Sequence, residues 1–335
     1  MTHWQADPRQ IADPFDEQAP LALRRRHGVL GASVEFRSDS PELSALADTA
    51  YAGLPGLPGD APPLVVELRL AASAARFDKP PPVARMLGGA GLLGATVDAA
   101  NLALVNPAAG RALVRVSPGL LRWPYHLRYE LIEFAVFTLV ARQRHLAALH
   151  AGCVAAGGQA ALLMGASGAG KSTLALQSMA LGLSVLTEDA SFVDAGSFNA
   201  WGVPNFLHLR CDGLGWLSDP VLSARIQASP VIQRRSGVCK FELDLRAGWA
   251  PIAAGPVPVR HLVFAAAETA AGGELLQPLA PDEALARLRL SQPYAAGQPG
   301  WGALAAGAAS LHAWSLRRGR HPQDGARALR SLLMA

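Results

Sequence analysis

The chain predicts an α/β fold over residues 126–335, preceded by a smaller α+β domain of unassigned role over residues 1–125. Three observations carry this. An apolar run, Gln159 to Met164, leads into the glycine-rich Gly165 to Gly170, then into a helical Lys171 to Leu181 and a second strand, Ser184 to Glu188. A helix-like segment from about Leu127 to Arg144 stands ahead of that succession as the start of a second domain. Finally, 335 residues with half of them hydrophobic and only 17% charged suffice for two buried cores and exclude a disordered chain.

Before Leu121 the chain reads as short pieces separated by turns. Gly31 to Arg37 and Pro63 to Leu70 have strand character, and Glu42 to Tyr51 is a helix opened at Ser40 and Pro41. In the segment 127–144 the spacing puts Leu131, Phe134, Ala135, Thr138 and Leu139 on one face, with Glu130, Glu133, Arg142 and Arg144 elsewhere. Ala148 to Ala155 reads as one strand. Asn205 to Arg210 and Val259 to Ala265 read as strands, Pro281 to Leu290 and Pro322 to Leu333 as helices, and about Leu217 to Val238 as a loop.

Composition narrows the partners. A formal net charge of +4 is small for this length, and aromatic residues are only 6%, so nucleic acid is not expected. Arg24-Arg-Arg-His reads as surface charge. The longest helix-like apolar run, Leu131 to Ala141, is interrupted by Glu133 and falls short of the roughly 20 residues of a membrane span. Met1 to Gln10 lacks the pattern of a secretory signal. Cys153, Cys211 and Cys239 have no CxxC spacing and are expected to be reduced packing residues of a cytoplasmic protein.

Gly165-Ala-Ser-Gly-Ala-Gly-Lys-Ser172 fits GxxxxGK[ST] in full, between a strand and a helix as that motif requires. Converging backbone N–H groups on phosphate oxygens leaves no room for side chains at Gly168 and Gly170, and the following helix presents its positive end to the same anion. Gly165, Ser167, Gly168, Ala169, Gly170, Lys171, Ser172 and Thr173 are therefore the expected nucleotide contacts. Lys171 would face the β/γ-phosphates and the Ser172 hydroxyl would ligate Mg²⁺. Glu188 and Asp189 end the strand after the loop's helix, where one carboxylate could accept a hydroxyl proton and the other hold metal-bound water. No LSGGQ-like segment accompanies the loop, which weighs against a transporter ATPase.

Leu149-His-Ala-Gly, the loop Gly165 to Thr173, Leu174-Ala-Leu, Leu181-Gly and Thr187-Glu-Asp together resemble the catalytic domain of HPr kinase/phosphorylase and the related bacterial serine kinases, including those of lasso-peptide clusters. The resemblance spans about residues 127–335. It implies a P-loop kinase domain of the HPr-kinase, PEP-carboxykinase-like type, using ATP and Mg²⁺. Lys171 would be catalytic, with His150 as a helper at the phosphate, Glu188 as the base and Asp189 beside Ser172 at Mg²⁺. The acceptor it implies is a serine on an HPr-like carrier or on a ribosomally made peptide, and the N-terminal domain would serve substrate recognition or a homo-oligomer. Two departures stand out. Glu188 replaces the first Asp of the family pair, and His208 stands where the family carries a metal-binding Glu, leaving Asp212 as a substitute or the second metal contact missing. Arg210, Arg234, Arg235 and Lys240, around the expected loop, are either a grip for a phosphorylated product or an acidic segment or simply solvated loop charge. A nucleotide-responsive binding module and a plain ATPase are the alternatives.

Overall fold

A computed structural model describes residues 21–55, 61–71, 73, 76–166, 168–217, 219–270 and 274–335, with the Asp212 side chain left out. Met1 to Gln10 and Ser167 thus lie outside the described residues, as does the Asp212 carboxylate. The fold is mixed α/β with several sheets. Among the described residues no helix is long and apolar enough to cross a membrane. Two compact units divide the chain, one chiefly up to Gln143 and the other chiefly from Arg144.

The first unit holds β1 (Leu23–Val29), β2 (Ala32–Ser38), α1 (Pro41–Tyr51), β3 (Leu64–Leu70), β4 (Arg85–Gly89), β5 (Leu92–Thr96), β6 (Leu102–Asn106) and β7 (Arg111–Val116), its strands in one sheet ordered β1-β2-β3-β7-β6-β5-β4. Helix α1 begins as its sequence dictates: Ser40 Oγ accepts from the Leu43 amide and Pro41 fills the first turn. The basic run on β1 is paired, Arg24 and Arg26 with Glu35 and Arg25 and His27 with Asp48, in keeping with surface charge. Next come α2 (Pro118–Leu121), α3 (Pro124–Leu127), one wide turn at Arg128–Ile132 and α4 (Glu133–Gln143). Helix α4 packs on β3, β6 and β7, so the units divide at Gln143/Arg144 and not at 125/126. Of the expected face, Leu131, Ala135 and Leu139 are buried and Phe134 and Thr138 only partly so; Ile132, Val136 and Val140 join the buried set, and Glu133 is taken into the interior as well.

In the second unit the nine-stranded sheet contains β8 (Leu146–His150), β9 (Gly152–Ala156), β10 (Gln159–Met164), β11 (Ser184–Thr187), β12 (Ala190–Asp194) and β13 (Asn199–Trp201). Strands β14 (Phe206–Arg210), β15 (Val231–Gln233) and β16 (Cys239–Asp244) form a separate three-stranded sheet. The large sheet is completed by β17 (Val257–Thr269), β18 (Leu276–Pro278) and β19 (His312–Arg318), in the order β11-β9-β10-β17-β13-β12-β8 with β19 on β17 and β18 on β19. Its helices are α5 (Lys171–Ala180), α6 (Pro220–Gln227), α7 (Pro281–Ser291), α8 (Pro293–Ala296), α9 (Trp301–Ala308) and α10 (Pro322–Met334).

From Ala160 to Met164 strand β10 is an unbroken apolar run because both its faces are buried there. Ala160, Leu162 and Met164 join Phe264, Leu288 and Leu304 in one core, while Ala161 and Leu163 join Leu174, Met179 and Leu329 in the other. The expected single strand 148–155 is two: β8 pairs with β12 and β9 with β10 and β11, the break at Ala151 being where the chain changes neighbours. The expected loop 217–238 contains α6, capped by Asp219, and β15. Cys153 is a buried packing residue whose thiol burial pushes up to about 12. Cys211 and Cys239 are exposed, contrary to a packing role, because both lie at the open ends of the small sheet.

Candidate active site

Strands β10 and β11 both run antiparallel to β9, so their C-terminal ends emerge on the same edge of the sheet. That edge is where open α/β sheets place ligands. From β10 issues the glycine loop and from β11 issue Glu188 and Asp189.

The loop turns into α5 through two left-handed residues, Gly168 at φ +81° and Gly170 at φ +94°. A side chain at Gly170 would be strained whatever the space around it, which is why the helix starts on glycine and carries no side-chain cap. Its first amides are left for an anion. Lys171 is almost fully buried and folds across the loop, its Nζ donating to the Gly165 carbonyl at 2.8 Å and the Ala166 carbonyl at 3.4 Å. From β19, Arg318 Nη2 donates to the Gly168 carbonyl at 3.3 Å. Ala169, Ser172 and Thr173 lie on the same loop and first helical turn.

His150 ends β8 opposite Ala190, which brings its ring to the residue just before, Asp189. His150 Nδ1 and Asp189 Oδ1 are 3.0 Å apart, and both side chains are 57% exposed, open to an incoming molecule. The bond to Asp189 raises the His150 pKa above its ordinary value, against burial and the nearby Lys171 charge. Burial favours a neutral Asp189, but His150, Lys171 and Arg234 outweigh it and hold the carboxyl below the usual range. The His150 backbone is clamped on both sides by Gln292, whose Oε1 accepts from the His150 amide at 2.7 Å and whose Nε2 donates to its carbonyl at 3.1 Å.

Glu188, adjacent in sequence, points elsewhere. Strand β9 runs so close that a Cβ on Gly152 would come within 2.9 Å of the Glu188 carbonyl, which fixes the strand end against the sheet. The carboxylate is buried, with Oε1 2.6 Å from His208 Nδ1. His208 reaches Glu242 Oε1 through Nε2 at 3.2 Å, so one imidazole bridges two buried carboxylates. Burial works against a charge on His208, yet the two hydrogen bonds and the two negative neighbours push its pKa up to about 9. Glu188 Oε2 is buried with no hydrogen-bond partner among the described residues. Of the two carboxylates, Asp189 is therefore the open one, and Glu188 is buried against His208.

On the small sheet, Lys240 lies opposite Arg210 in register, and burial together with the Arg234 charge lowers its pKa. Glu188 and Asp189 are close enough to Lys240 to act against that shift, so Arg210, Arg234 and Lys240 belong to the neighbourhood of the carboxylate pair. Arg235 is exposed in the turn before β16.

The sequence reading missed Gln292, Glu242 and Arg318. Each acts from far along the chain, and none stands in a motif, so no local signal marked them. No protein-family model matches the chain, and no curated protein matches it.

Mg²⁺ typically takes one or two carboxylates with phosphate oxygens and water, and does not need a cage of protein ligands. Among the described residues no group of three or more His, Cys, Asp or Glu is arranged to hold a metal alone. An open Asp189 carboxylate beside a loop that ends in Lys171-Ser172 has the donor chemistry that a nucleotide-borne Mg²⁺ calls for.

Proposed function

We propose that the second unit is an ATP-dependent kinase of the HPr-kinase type that transfers the γ-phosphate to a serine hydroxyl on a small protein or peptide. The observation that carries this is the meeting, at one edge of the sheet, of the glycine loop bearing Lys171 with an exposed carboxylate–imidazole pair. Phosphoryl transfer asks chiefly for positioning and charge neutralisation. The loop amides and Lys171 would grip the phosphates, exchanging the lysine's bonds to Gly165 and Ala166 for phosphate oxygens. Ser172 and Asp189 would hold Mg²⁺, which supplies charge neutralisation at the transferred group.

His150 would take the acceptor's proton. With Nδ1 committed to Asp189, its Nε2 is the ring nitrogen left for the hydroxyl, the same logic by which a carboxylate orients a histidine base in other hydroxyl chemistry. Gln292 would hold that ring in place through the backbone. Glu188 would act from behind, and Arg210, Arg234 and Lys240 would face an acidic or phosphorylated stretch of the acceptor. An HPr-like carrier and a ribosomally made peptide both fit this description, and an intracellular, cytoplasmic setting goes with either.

The burial of Glu188 favours a second reading, a module that binds nucleotide and partner without transfer. Measuring ATP turnover alone and with small candidate partners separates the two. The kinase reading expects slow hydrolysis that rises with the right partner, because closure around the acceptor aligns the hydroxyl and excludes water. Fast partner-independent phosphate release would instead support a plain ATPase, and nucleotide binding with no turnover under any condition would support the binding module.

A further inference from the structure

A cavity of about 330 Å³ opens beside the glycine loop, at the C-terminal ends of β17 and β19. We propose that it holds the nucleobase and ribose of the nucleotide, with the Trp216 ring as the stacking platform. This rests on the phosphate-loop reading above and extends it to the other end of the ligand.

Three features support the assignment. The first is position. Gly170 and Thr173 of the loop and its helix also line the cavity. In sheet order the carboxylates follow β11 on one side of β10, while β17 and β19 lie on the other. A nucleotide whose terminal phosphate faces Asp189 would leave the loop past Thr173, towards β17 and β19, and reach this cavity.

The second is chemistry. The lining is apolar at Leu174 and Leu316 and includes Arg317, Arg318 and Arg320. Arg318 already touches the loop through the Gly168 carbonyl, so a cation stands between the loop and the cavity. Apolar walls with a few placed polar groups and a volume of roughly 300–1,000 Å³ characterise small-molecule sites.

The third is Trp216 itself. It is 49% exposed, which is unusual for so large an apolar ring. It is nonetheless held: its carbonyl accepts from Gln177 Nε2 of α5 at 3.2 Å, and its ring meets His321 edge-on with centroids 5.9 Å apart. His321 is in turn fixed by capping α10, its Nδ1 accepting from the Gln323 amide. An exposed aromatic face anchored at the rim of a cavity is what base stacking uses, and stacking of this kind tolerates any base because every base has a π-face.

The test compares two probes on the full chain with Mg²⁺, ATP and inorganic tripolyphosphate, the second having the phosphates without base or sugar. Trp216→Ala is expected to weaken ATP binding by roughly 5- to 150-fold and to leave tripolyphosphate binding unchanged. Thr269→Trp, which places a bulky ring at the exposed end of β17 to fill the cavity, is expected to do the same with an unchanged thermal midpoint. Lys171→Ala should weaken both probes. Wild-type ATP affinity in both cavity variants would overturn the proposal, as would a loss of tripolyphosphate binding in step with ATP. If the unaltered protein binds neither probe, the phosphate-loop reading falls and the base site with it; if it binds tripolyphosphate as tightly as ATP, the base site alone falls.

Discussion

His150→Ala is expected to lower phosphoryl transfer by roughly 10²–10⁴-fold while nucleotide affinity stays close to that of the unaltered protein, the range for loss of a positioned general base. The reason is geometric: His150 is the exposed imidazole whose Nδ1 lies 3.0 Å from Asp189 Oδ1, and Gln292 holds its backbone from both sides. Asp189→Asn should be comparably inactive and should also raise the Mg²⁺ requirement, since in the proposed function that carboxylate would serve the metal as well as the His150 ring it contacts. Glu188→Gln is the contrasting control. Its carboxylate is buried against His208, so its loss should reduce transfer less than either change in the open pair. Single-turnover rates at saturating nucleotide measure all three. A normal rate in His150→Ala with a severe loss in Glu188→Gln would return the base role to Glu188.

The second large effect concerns stability. His208→Leu removes the imidazole that bridges Glu188 and Glu242 and takes that contact from two buried carboxylates, and breaking a buried ionic contact in this way costs about 3–5 kcal/mol. Urea unfolding should show a midpoint shift of corresponding size at neutral pH. The pH dependence follows from the direction of the shift. His208 is held at about 9, above the ordinary 6.5, so its contribution is fully present below about pH 6.5 and is lost as pH rises through 9. The unaltered protein should therefore lose stability over that alkaline interval, and His208→Leu should lose much less. Equal alkaline losses in the two proteins would show that the bridge does not carry the effect.

What could be read from the chain alone follows how local each signal is. The glycine loop was legible because a strand, six loop residues and a helix start are consecutive, and steric demand at Gly168 and Gly170 writes itself into residue type. Helix α1 was legible for the same reason, since Ser40 and Pro41 mark its start. The carboxylates could be placed at a strand end, but not told apart, because what separates them is a partner twenty residues further on for Glu188 and the end of β8 for Asp189. His208 stood out only as a departure from a family pattern, and its second partner, Glu242, comes from the opposing strand of a small sheet. Part of that sheet fell in a stretch read as loop, because α6 and β15 are short and their few apolar residues set no clear period. The meander β4–β7 went unread for a related reason: β4 is exposed along its whole length and shows no alternation.

Transfer of a phosphoryl group to a protein or peptide hydroxyl can be read by intact-mass spectrometry of small candidate partners incubated with the full chain and Mg-ATP. One partner is expected to gain about 80 Da as an acid-stable phosphoester on serine, and the gain to disappear with Lys171→Ala. ATP consumption with no partner gaining mass, or an equal gain with Lys171→Ala, would contradict it.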